Sequence, residues 1–334
     1  MSAGRVEYAA SLSAIKEAAQ RIAPYCHVTP VFTSSTVDSL LHKSVFFKCE
    51  VFQKGGAFKF RGACNSVFSL AEEEAQRGVV THSSGNHAGA VALAAKLRGI
   101  PAHIVVPVGT PQCKLAAIET YSGRVVQCAA TMDAREATCG RIQRETGAVF
   151  VAPYNYGPTI CGQGTIALEL LEQVQPALDA IIVPVSGGGM IAGIAMAAKS
   201  LQPDIVILAA EPTGSNDAAD VAAAKQAGQL VPMAKPQTIA DGLQGRLGDL
   251  TWPIVRDLVD GVITVSDQDI VAAMQICYER LKVVVEPSGA AGLAAAMSPQ
   301  FLHHPQWQRL QRVGVILCGG NADLAAKGFW ELWR

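Results

Sequence analysis

The chemistry in this chain begins with one lysine. In the stretch Gln53-Lys54-Gly55-Gly56-Ala57-Phe58-Lys59-Phe60-Arg61-Gly62-Ala63, an amine stands at the start of a helical pattern, behind two bare glycines. An amine is a nucleophile toward carbonyl carbon and a base once its proton is gone. A lone lysine is more often a solvated surface residue, so its company decides. Ser186-Gly187-Gly188-Gly189-Met190 follows the apolar run Ala180 to Val185 and precedes an Ala-rich stretch. That order reads as strand, glycine loop, helix, whose bare N–H groups and positive helix end make a phosphate cradle. Three successive glycines exceed what a turn needs. No Gly-Lys-Ser/Thr follows and no G-x-G-x-x-G is present, which sets aside the P-loop and dinucleotide fingerprints. At a second strand-to-helix junction Ser83, Ser84, Gly85, Asn86 and His87 crowd together. One such residue is enough to cap a helix; the group together makes a carboxylate-sized site. A third loop, Cys318-Gly319-Gly320-Asn321, ends the last apolar strand.

The elements that position these loops follow from periodicity. Short β-branched runs at 45–48, 78–83, 102–107, 124–128, 180–185, 204–210 and 313–318 alternate with Ala-rich helical stretches, as in a buried parallel sheet covered by helices. Ser266 and Asp269 form an N-terminal capping pattern. Residues 213–250, rich in Gly, Asp, Pro and Gln, read as a helix followed by a long excursion.

The bulk composition limits the options. With 50% hydrophobic and 16% charged residues among 334, a large core in two units is expected. A net charge of −1 gives no electrostatic reason to expect nucleic acid. No apolar run of about 18 residues suggests a membrane span, and the first residues show no secretory signal. Nine scattered cysteines without C-x-x-C point to reduced thiols, and hence to the cytoplasm, rather than to disulfides or zinc.

An amine nucleophile, a phosphate cradle and a carboxylate pocket are what a pyridoxal-phosphate enzyme needs. FQKGGAFKFRGA, THSSGNHAGA, GQGTIALE, VSGGGM, EPSGAAGLAA and LCGGNADL occur in the order seen in fold-type II pyridoxal-phosphate enzymes, and the chain resembles their serine racemase and serine/threonine dehydratase branch from about residue 10 to 325. The resemblance implies an α/β fold like that of tryptophan synthase β, with two open parallel-sheet domains and the site between them. The larger would span 1–80 and 158–334, and the smaller, mobile one 81–157. Lys59 would carry the cofactor. Phe58 and Asn86 would flank it, and Gly187, Gly188, Gly189 and Met190 would donate to its phosphate, with Ser186 at the loop's edge. Glu286 also belongs to this set, and Cys318 would face the pyridine nitrogen. Ser83, Ser84, Gly85, Asn86 and His87 would hold the substrate carboxylate. Lys59 and Ser84 would exchange the α-proton on opposite faces, with β-elimination to pyruvate and ammonia accompanying racemisation; the alternative is a threonine/serine dehydratase with little racemase activity.

The same resemblance implies Mg²⁺ or Ca²⁺ at Glu211, the Ser215 carbonyl and Asp217, with oxygen ligands that suit either ion. It implies a homodimer with an ATP site at Ser34, Ser35, Thr36, Lys54, Tyr121, Lys282 and Asn321. Gly55 and Gly89 stand there in place of residues with polar side chains, so ATP is expected to stimulate weakly or not at all. Ser186 and Cys318 also depart from the branch, which usually has glycine and serine there. The Ser186 side chain would either bond the phosphate or narrow the loop. With the sequence ending at Trp333-Arg334, no separate amino-acid-sensing regulatory domain is expected.

Overall fold

The computed structural model describes residues 7–110, 112–232 and 234–323; Leu324 of the last motif and the Trp333-Arg334 end lie outside the described residues. Two sheets are present. The larger takes β1 (Val31–Phe32), β2 (Ser44–Cys49), β7 (Ala180–Pro184), β8 (Val206–Pro212), β9 (Gly261–Val265) and β10 (Arg312–Leu317), in the order β1-β2-β10-β7-β8-β9. Only β1 runs antiparallel to its neighbour. The smaller takes β3 (Val79–His82), β4 (Ala102–Pro107), β5 (Arg124–Cys128) and β6 (Val149–Phe150), all parallel, in the order β5-β4-β3-β6. β3 begins at Val79, two residues ahead of the expected start of the second unit at 81.

The side-chain period of two divides β7 between two cores. Ile181 and Val183 pack with the helices Leu12–Ile22, Gly157–Gln173, Gly189–Leu201 and Trp252–Leu258. Ala180 and Ile182 pack on the other face with the helices Asp267–Ile276 and Pro287–Met297. Both faces are therefore covered, which is why these strands read as unbroken apolar runs. The Ser266–Asp269 capping box is present, with Ser266 Oγ accepting from Asp269 N at 3.2 Å.

A buried charge cluster fixes the lysine helix, Lys59–Phe68. Arg61 is fully buried and pairs with Glu50 at 2.7 Å and Glu169 at 2.6 Å; Lys48 also reaches Glu169 at 2.6 Å. Thr29 Oγ1 donates to Glu50 at 2.6 Å. Two cations meet two carboxylates, drawn from β2, the turn after it, the lysine helix and the helix Gly157–Gln173. Glu50 and Glu169 together hold the Arg61 guanidinium well above its ordinary pKa despite the cost of burial, so it stays charged. Removing one partner from a buried pair leaves an uncompensated charge. The variant Arg61→Met is therefore expected to lower the urea-unfolding stability of the apo chain by about 3–5 kcal/mol; a loss below about 1 kcal/mol, the worth of an exposed pair, would contradict this role.

Candidate active site

Lys59 opens its helix behind Phe58, which caps it without a side-chain hydrogen bond. The two glycines before it are not a free hinge. Gly55 and Gly56 both hold φ near +73°, a left-handed turn that other residues enter only with strain. That turn lays the chain against the loop after β10. Gly320 N donates to Gly56 O at 2.9 Å, Phe58 N to Cys318 O at 3.0 Å and Asn321 Nδ2 to Gly55 O at 2.7 Å. The lead-in is thus bonded into place on either side of Ala57, which bridges Gly319.

The lysine keeps some solvent contact. Its amine is nevertheless enclosed: Nζ donates to Pro153 O at 2.7 Å and lies 5.0 Å from the Phe58 ring centre. Burial lowers its pKa to about 8, with neighbouring Cys318 opposing the shift. Pro153 belongs to the crossover between β6 and the helix Gly157–Gln173, and the rest of that crossover also serves the site. Val151 O accepts from buried His87 Nε2 at 3.0 Å, and Ala152 O from Thr159 at 3.0 Å. Burial, with the Lys59 charge behind it, pushes His87 down to about 3, so the ring is neutral. Since Nε2 donates to a carbonyl, Nδ1 carries the lone pair, and it has no partner among the described residues.

His87 belongs to the helix Asn86–Arg98, capped by exposed Gly85 with no side-chain bond. Ser83 Oγ accepts from Gly85 N at 3.2 Å, and Ser84 lies half-buried beside it. Asn86 is engaged at both ends. Its Nδ2 donates to Glu286 Oε1 at 2.7 Å, and its Oδ1 accepts from Asn321 at 2.9 Å. Cys318 is buried, its Sγ donating to Ser288 O at 3.4 Å, and burial pushes its thiol pKa far up, so it remains a neutral, weak donor.

The glycine loop also starts a helix without a side-chain cap: Gly188, at φ +85°, precedes Gly189–Leu201. A Cβ on Gly187 would fall 2.3 Å from Tyr154 Cγ, and one on Gly189 2.9 Å from Tyr154 Cα. Two uncapped helix starts and an enclosed amine of lowered pKa suit pyridoxal phosphate: one anion cradle for its phosphate, one for a substrate carboxylate, and a nucleophile bonded to the same crossover that packs on both. Ser186 Oγ accepts from Gly245 N at 2.8 Å, which leaves its own proton free to donate.

The other expected positions are spread wider. Glu211 is buried, accepting from Val221 N at 2.8 Å and Ala222 N at 2.9 Å. Burial raises its pKa to about 7, with the charge of nearby Asp220 adding to the shift. Asp220 is thus a close acidic neighbour of Glu211. Asp217 sits at φ +50°, and Ser215 N donates to Gln237 O at 2.9 Å. Among the described residues no three His, Cys, Asp or Glu side chains converge on one point. Ser34 Oγ accepts from Val37 N at 3.4 Å and caps the helix that carries Ser35 and Thr36. Lys54 lies in the lead-in turn and Lys282 in a left-handed turn at φ +60°. Gly89 faces the Tyr121 ring, which a Cβ there would meet at 3.8 Å.

Sequence reasoning missed Pro153 and Tyr154. Their signal was only an unassigned segment following a two-residue strand.

A model of pyridoxal-phosphate dependent enzymes matches residues 22–319. The chain is 55% identical over 334 residues to a serine racemase of Arabidopsis thaliana, covering 100% of this chain and 99% of that one. It is 44% identical over 328 residues to the human serine racemase, covering 97% and 95%. Among solved structures, maize serine racemase superposes with a TM-score of 0.93 at 56% identity, covering 97% of each chain. A match of this extent, falling on the same loops that gather around Lys59, leads to one conclusion: the chain belongs to the family of pyridoxal-phosphate dependent enzymes.

Proposed function

We propose that this enzyme racemises serine and, from the same site, eliminates its β-hydroxyl as water to give aminoacrylate, whose hydrolysis takes that water back and leaves pyruvate and ammonia. The observation that carries the reading is the shared anchoring of Lys59 and the Ser84 loop. Lys59 bonds Pro153 O, and His87, three residues past Ser84, bonds Val151 O of the same crossover. An amine and a hydroxyl-bearing loop thus flank one site. Names and identities of the relatives supply the substrate.

Bound pyridoxal phosphate supplies the electron sink that acidifies the substrate's Cα–H. The chain's own residues do the rest. The open N–H groups of the Ser83–His87 loop bind the carboxylate, and the neutral His87 ring adds no competing charge. Lys59, with its pKa lowered to about 8, holds or releases a proton near neutral pH on one face of Cα. Ser84 exchanges a proton on the opposite face. Departure of the β-hydroxyl after deprotonation diverts the reaction to elimination. The smaller sheet, taken as a mobile domain of about 81–157 against a larger one of 1–80 and 158–334, closes to exclude water.

Further assignments complete the reading. Mg²⁺ or Ca²⁺ is held at Glu211, Ser215 and Asp217. The burial of Glu211 and Asp220 supports a cation nearby, since two buried carboxylates call for a compensating charge. ATP, at Ser34, Ser35, Thr36, Lys54, Tyr121, Lys282 and Asn321, is a weak effector, since Gly55 and Gly89 offer no side chains. The enzyme is a cytoplasmic homodimer. The eight cysteines with described surroundings are free thiols, and among the described residues no helix is long and apolar enough to cross a membrane.

Two measurements test the reading. With L-serine, Ser84→Ala is expected to lose D-serine formation by about 100-fold or more, the lower range for a general acid–base group, while pyruvate formation persists. Equal loss of both products would remove Ser84 from its role. In thermal melting of the holoenzyme, Mg²⁺ or Ca²⁺ is expected to raise Tm and ATP to leave it nearly unchanged; a cation without effect, or a large rise with ATP, would overturn those two assignments.

A further inference from the structure

The excursion before the helix Trp252–Leu258 carries no role in the chemistry above, yet it grips the glycine loop at three points. Thr251 is fully buried, and its Oγ1 donates to Gly187 O at 2.8 Å. The same oxygen accepts from Gly248 N at 3.0 Å and lies 3.2 Å from Gly248 O, so its single proton has two carbonyls in reach, of which Gly187 O is the nearer. Gly245 N donates to Ser186 Oγ at 2.8 Å. Leu247 and Thr251 stand so close to Gly188 that a Cβ there would lie 2.7 Å from Leu247 and 2.9 Å from Thr251. The crossover closes the other side. Tyr154 covers Gly187, and Asn155 ties back to the excursion by accepting from Leu250 N at 2.9 Å and donating to Asp249 at 2.6 Å.

We propose that Thr251, supported by Ser186, is a positioning residue for the phosphate cradle. In a trans peptide the carbonyl and the following N–H point in opposite directions. Holding the Gly187 carbonyl at Thr251 therefore turns the Gly188 N–H away from the excursion, toward the side where an anion would sit. A glycine-rich loop left to itself samples many peptide orientations. The Thr251 bond selects one before the anion arrives, so less ordering is required on binding. Ser186, where a glycine would have no side-chain acceptor for Gly245, adds a second tether to the same excursion.

This inference rests on pyridoxal phosphate as the occupant of the cradle. The test is a titration of apo chain with pyridoxal phosphate, followed by cofactor absorbance, with the ³¹P resonance of the bound phosphate as a second readout. Thr251→Val keeps the shape and removes the hydroxyl, stranding a buried carbonyl. It is expected to raise the Kd by about 10- to 100-fold and to shift or broaden the ³¹P line. Thr251→Ser, which restores the donor, is expected to stay within about threefold of the parent, less than a net hydrogen bond is worth. A parent-like Kd and ³¹P line in Thr251→Val would overturn the proposal while leaving the function intact. Failure of the parent chain to bind pyridoxal phosphate would overturn both. If Thr251→Val does not fold, as judged by circular dichroism, Ser186→Ala decides: a Kd raised severalfold, as for one lost tether, supports the clamp, and an unchanged Kd overturns it.

Discussion

The site depends on one enclosed amine. Lys59 gives its hydrogen bond to the Pro153 carbonyl, a neutral acceptor, and among the described residues it forms no ion pair with a carboxylate. Enclosure without a counter-charge favours the neutral amine, which is the form that can act as nucleophile and base. A carboxylate in place of that carbonyl would hold the proton and disable the group. His87 follows the same logic: burial keeps its ring uncharged next to the lysine, so the region does not accumulate positive charge.

Such an amine has to be held, and the charges that hold it lie two residues away. Arg61 takes up Glu50 and Glu169 and keeps both carboxylates on its own side of the helix. One helix thus carries a permanently charged residue facing its ionic partners and a titratable one facing the site. The β6-to-helix crossover complements this from the opposite direction. Successive residues Val151 to Asn155 reach His87, Thr159, Lys59, the glycine loop and the 248–250 turn. Because this segment joins the smaller sheet to the larger, any relative movement of the two acts on the amine and the phosphate cradle together.

Much of this was legible in the sequence because the cues were local. Seven apolar runs became β2, β3, β4, β5, β7, β8 and β10, since a parallel strand buried on both faces has to be apolar along its length. β1 and β6 have two residues each and leave no period to detect. β9 was missed although its run Val262-Ile263-Thr264-Val265 is as β-branched as that of β5. The loops that start helices could be recognised from glycines and hydroxyl residues alone. What they bond to could not. Ser186 meets Gly245 across 59 positions, Glu211 lies beside Asp220, and the Gly55-Gly56 pair is a left-handed turn bonded on both sides. Contacts of that range are set by how the elements stack.

The most direct test is the titration of Lys59 itself. Apo chain is mixed with pyridoxal phosphate across a pH series, and the initial rate of covalent capture at Lys59 is measured after borohydride trapping. Only the neutral amine reacts, and a lowered pKa means that its fraction rises with pH through the folded-state value. The rate is expected to reach half its plateau near pH 8. A half-point near the ordinary lysine value of about 10.4 would mean that the amine is solvated or ion-paired, and the account of an enclosed Lys59 of lowered pKa would fail.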